Sequence, residues 1–122
     1  MQAGFGSEAA ARRDFEAVAA GWRVIAAASA PAARAAAEVQ VFNQMVVALW
    51  GRVGARDGSS AQAGLTELRL LAEGIAADGR FPVAAGWRVD MSVTGYRAGD
   101  RIAMSEAVFS RLAGVVLDRL AR

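Results

Sequence analysis

Acid–base chemistry in this chain would have to run on Asp90, Asp100, Glu106 and Tyr96, because there is no histidine, no cysteine and no lysine, and all fourteen basic residues are arginines. Two carboxylates can trade protons with a substrate only when the fold brings them within reach and drives their pKa values apart. Nothing in the spacing of these acids points to such a setting. Asp100 follows Gly99 and reads as turn chemistry, and Glu106 follows Ser105 at a helix start, where the helix dipole favours an acid. Without His and Cys the common metal ligands and the common neutral-pH base are missing, and without Lys there is neither a Schiff-base amine nor a phosphate-loop cation. No glycine-rich loop joins a strand to a helix in the way that cradles phosphate. The expectation is a chain with no catalytic, cofactor-binding or metal-binding residue, and therefore no enzyme and no cofactor.

The chemistry left over is recognition, and two readings compete for it. In the first, Arg97 and Arg101 sit on a β-hairpin spanning about 87–104 and meet phosphate, while Ser59, Ser60 and Gln62 enter the major groove at the start of the third helix. That arrangement describes a winged-helix-like DNA-binding transcriptional regulator with 87–104 as the wing. Against it, the proposed reading helix offers few side chains for base edges beyond Gln62, Thr66 and Arg69. The formal charge of +2, with twelve acids among the arginines, also permits nucleic-acid binding without announcing it.

In the second and favoured reading the chain is a non-catalytic helical interaction protein, a subunit, adaptor or assembly chaperone that works through apolar helix surface. Trp50 falls beside the main apolar stripe of the second helix and, with Val41 and Met45, marks the candidate partner face. The partner is expected to be a second copy, as a homodimer, or a different protein.

These residues depend on elements that the spacing predicts. Phe15, Val18, Trp22 and Ile25 form an apolar stripe at steps of three and four, predicting a first helix over about 7–28 with Ser7 as its N-cap and residues 1–6 outside it. Gly21 inside that run costs ~1 kcal/mol relative to Ala, unless another backbone packs close. Pro31 suits the first position of a second helix, about 31–53, in which Ala35, Val39, Phe42, Val46, Leu49 and Val53 make one stripe and Val41, Met45 and Ala48 a second. A helix apolar over so wide an arc needs neighbours on two sides. After the loop ARDGSSAQAG, a third helix over about 60–78 carries Leu65, Leu68, Leu71 and Ile75 and ends at Gly79 and Pro82. Trp87, Val89, Met91 and Val93 then alternate with polar residues in the period-two pattern of a half-buried strand, and Gly95 and Gly99 bracket a turn before a return over 101–104. A last helix over about 105–121 carries Phe109, Leu112, Val116 and Leu120.

The fold class expected is mainly α (α+β): three helices, a β-hairpin and a C-terminal helix in one compact domain spanning 1–122. At 122 residues such a domain can bury a core without disulfides. Charges interrupt every apolar run before the ~18–20 residues that would span a bilayer, so no membrane insertion is expected. The start of the chain lacks the pattern of a secretory signal, which makes the cytoplasm the expected compartment. The joint abundance of Ala, Gly and Arg fits a GC-rich, bacterial coding sequence.

Overall fold

Steps of three and four among the apolar residues become helices in the computed structural model, which describes residues 3–53, 63–84, 87 and 92–121. Four helices run in chain order: α1 (Ala3–Ala27), α2 (Pro31–Val53), α3 (Ala63–Ala77) and α4 (Glu106–Ala121). The mainly-α class holds. α1 begins at Ala3, ahead of the Ser7 cap read from the sequence.

α2 packs against all three other helices. Phe42, Val46, Leu49 and Val53, at steps of four, three and four, bury one face of it, and Met45 widens the arc. Trp22 meets Phe42 edge-on at 6.1 Å, Phe42 lies 5.8 Å from Phe109, and Phe109 meets Phe15 edge-on at 5.6 Å, so one run of rings ties α1, α2 and α4 together. Edge-to-face pairs of this kind add to what burial alone contributes. α3 brings Leu65, Leu68, Leu70 and Leu71 to the same core. At its end Gly79 has φ 79° and donates its N–H to the Gly74 carbonyl at 2.8 Å, a glycine cap that satisfies a last-turn carbonyl. Ser105 caps α4 by accepting the Val108 N–H at 3.2 Å.

The β-hairpin expected at 87–104 is not formed: among the described residues there is no strand, and residues 88–91 lie outside them. The backbone groups of the intended return strand bond elsewhere. Arg101 pairs with Arg80 in an isolated antiparallel bridge, flanked by Phe81 N–H to Asp100 O and Ile102 N–H to Gly79 O, each 2.8 Å. Asn43 of α2 then acts as a surrogate strand, donating to Ile102 O and accepting from Met104 N–H, both at 3.0 Å, while the Tyr96 hydroxyl accepts the Ala103 N–H at 3.0 Å.

Residues 92–94, at the end of the intended first strand, are captured by a carboxylate. Glu67 of α3 is fully buried and accepts four hydrogen bonds: from Ser92 Oγ (2.6 Å), Val93 N–H (2.8 Å), Thr94 N–H (3.0 Å) and Thr94 Oγ1 (2.5 Å). Hydroxyl side chains and a carboxylate here offer the backbone an alternative to a ladder, and charge-assisted bonds are the stronger competitor. Gly95 and Gly99, with φ 83° and 88°, turn the chain around this anchor.

Candidate interaction surface

The stripe that buries α1 differs from the one its large side chains suggest. Ala11, Phe15 and Trp22 are buried and Ala26 packs against the core, whereas Val18 and Ile25 remain 40% and 57% exposed and Val24 73% exposed. Small alanines occupy the inward positions, which rotates the aliphatic side chains to the flank. From Ala17 to Ala28 that flank consists of Ala17, Val18, Gly21, Val24, Ile25 and Ala28, all exposed and none charged.

α2 continues the surface. Ala37, Val41, Gln44 and Ala48 repeat at steps of four, three and four along one side, half-buried or exposed, and the next member of the series is Arg52. Arg52 forms an ion pair with Asp14 of α1 at 2.5 Å, so the two flanks lie side by side. Toward the turn, Ala30–Ala36 are all exposed, with Arg34 the one charged residue among them. This tip of the α1–α2 hairpin stands as helix without a core of its own.

Of the partner-face residues read from the sequence, Val41 lies on this surface, half-buried. Met45 is buried in the core, and Trp50 is half-buried and packs against it. Sequence reasoning placed Val18 and Ile25 in the buried stripe of the first helix and did not single out Val24. The usable signal was Gly21, set in the middle of a run that also contains alanines able to take the inward positions.

The residues that acid–base chemistry or nucleic acid would need are scattered among structural partners. Asp100 accepts the Arg97 N–H at 2.9 Å, and Glu106 is paired with Arg23. Burial raises the Tyr96 pKa above its ordinary value, partly offset by the bond from Ala103 and reinforced by the nearby Asp100 charge. Arg97 and Arg101 are exposed but do not sit on a wing, since the hairpin is absent among the described residues. Asp90, Ser59, Ser60 and Gln62 lie outside the described residues.

A cleft of about 300 Å³ runs between α1 and α4 over Phe15, Phe42 and Phe109. Of the arginines that line it, Arg12 pairs with Asp118 (2.6 Å) and Arg23 with Glu106, and Glu16 lines it as well. Each rim arginine faces an acid, so the cleft has no charge preference with which to select a ligand. Comparison of the chain with family models, with curated proteins and with solved structures returns no match.

Proposed function

We propose that the chain is a non-catalytic interaction protein, a subunit, adaptor or assembly chaperone, that engages a protein partner through the outer face of the α1–α2 hairpin. The observation that carries this reading is the uncharged flank of α1, where Val24 and Ile25 are 73% and 57% exposed within a regular helix. Single exposed aliphatics are ordinary on protein surfaces, but several on one uncharged flank of a helix are the kind of surface that marks a binding face. Burying aliphatic surface against a partner contributes about 25 cal/mol per Å² before association costs. No helix among the described residues is long and apolar enough to cross a membrane, so the proposed partner is a protein surface rather than a bilayer interior.

The test is a charge placed on the face. Val24→Asp with Ile25→Asp should leave the helical circular dichroism unchanged, because both side chains already face water, and should strip the partners that co-purify with the tagged wild-type chain from its own cells. An unchanged set of partners with the doubly substituted chain would overturn the assignment of function to this face.

A further inference from the structure

We propose that Arg80 and Arg101, on the chain between α3 and α4, form a two-armed clamp for a terminal phosphate group. The hydrogen bonds beside their isolated bridge run from Phe81 N–H to Asp100 O and from Ile102 N–H to Gly79 O. That pattern makes Arg80 and Arg101 a non-hydrogen-bonded antiparallel pair, the closer of the two kinds, with Cα atoms about 4.5 Å apart and side chains on one face. Phe81 and Ile102 are buried, so the face that carries both exposed arginines is the outward one.

Like charges set directly opposite one another repel. Elsewhere the fold answers its arginines: Arg12, Arg23, Arg52 and Arg69 each pair with a carboxylate. Arg80 and Arg101 form no ion pair among the described residues. The two acids beside them face backbone, with Asp78 accepting the Arg80 N–H at 3.1 Å and Asp100 the Arg97 N–H at 2.9 Å. The Arg80 guanidinium donates from Nη1 to Gly99 O at 3.0 Å, which holds it against the 97–100 turn and leaves its other donors free. One arm of the clamp is thus in place before a ligand arrives.

The donors select the ligand. A guanidinium is a planar fork of N–H groups, and one fork already matches the two oxygens of a carboxylate. Two adjacent forks match a terminal phosphate, whose three or more free oxygens and nearly double charge take both at once. A phosphodiester has two free oxygens and one charge, which one fork satisfies. The ligand is therefore inorganic phosphate or a small phosphomonoester.

NMR of the Arg Nε–H groups in the full chain, at constant ionic strength, tests this. Inorganic phosphate raised to about 50 mM should move Arg80 and Arg101 along one saturating curve. The exposed Arg13, Arg34 and Arg111, on three different helices, should not saturate. Arg101→Gln should weaken the response of Arg80 by about tenfold and leave the helical circular dichroism unchanged. Glycerol phosphate binding as tightly as inorganic phosphate assigns the clamp to a monoester, and binding about tenfold weaker assigns it to free phosphate. Unsaturated movement of every exposed arginine together would overturn the clamp, as would an unchanged Arg80 response in Arg101→Gln. Acetate or dimethyl phosphate binding as well as phosphate would overturn the choice of ligand.

Discussion

Between Ala17 and Ala36, helix on either side of a turn carries aliphatic side chains into solvent, whereas from Gly79 to Met104 the described chain has almost no regular structure and ties its backbone to core side chains, with the Trp87 indole N–H buried and unpartnered. The difference follows from where each backbone finds its hydrogen bonds. A helix satisfies its own N–H and C=O groups, so an alanine-rich hairpin can extend past the core with little entropic cost and no neighbour. Irregular chain has no internal ladder, and each buried group there needs a particular partner. Asn43, Glu67 and Tyr96 supply those partners. Polar side chains thus hold one region, although Val83 there is exposed, while the other leaves Val18, Val24 and Ile25 in solvent.

The sharpest way to break this contrast is Glu67→Ala. It orphans two backbone N–H groups and two hydroxyls in a buried setting. We expect a loss of roughly 3–5 kcal/mol of stability by urea titration, with Glu67→Gln falling between the two. A loss below ~1 kcal/mol would mean that the 92–95 turn stands without its carboxylate.

Two helical glycines make the next comparison. A Cβ at Gly74 would lie 2.2 Å from the Arg80 carbonyl oxygen, whereas one at Gly21 meets nothing within 4 Å. Gly74→Ala should therefore destabilise by about 2–3 kcal/mol, through displacement of backbone that cannot yield easily. Gly21→Ala, measured in dilute solution, should stabilise by up to ~1 kcal/mol through helix propensity. Equal effects of the same sign would erase the distinction between the packed and the projecting regions.

The smallest expected effect is on pH dependence. Burial favours the neutral Tyr96 phenol, so its folded-state pKa lies above the ordinary value of 10.0. The unfolded chain then ionises first, and the stability contributed is intact below pH 10.0 and is lost as the pH rises through the folded-state value. Phenolate absorbance of this single tyrosine gives the folded titration directly. An identical alkaline decline in Tyr96→Phe would remove Tyr96 from the account.

Much of the helical framework was legible in the sequence. Phe42, Val46, Leu49 and Val53 bury the face of α2 that their spacing predicts, as do Leu65, Leu68 and Leu71 in α3 and Phe109, Leu112 and Val116 in α4. Pro31, Gly79 and Ser105 mark helix ends where their backbone chemistry requires. The candidate surface was legible only in outline: Val41 lies on it, while Val18 and Ile25 had been assigned to the core.

What the sequence by itself determined is local: periods of three and four, breaks at proline and glycine, caps, and the poverty of catalytic side chains. Each follows from interactions within one or two helical turns, which the order of residues specifies directly. Only the tertiary structure decided which side of α1 turns inward: Ala11 and Ala26 share the inward face with Phe15 and Trp22, which leaves Val18 and Ile25 exposed. It likewise decided where the backbone of 92–104 finds its partners. Period-two alternation states that an extended segment has a wet face and a dry one, and says nothing about which groups receive its hydrogen bonds. Here Glu67, at a distance of more than twenty residues in sequence, received them.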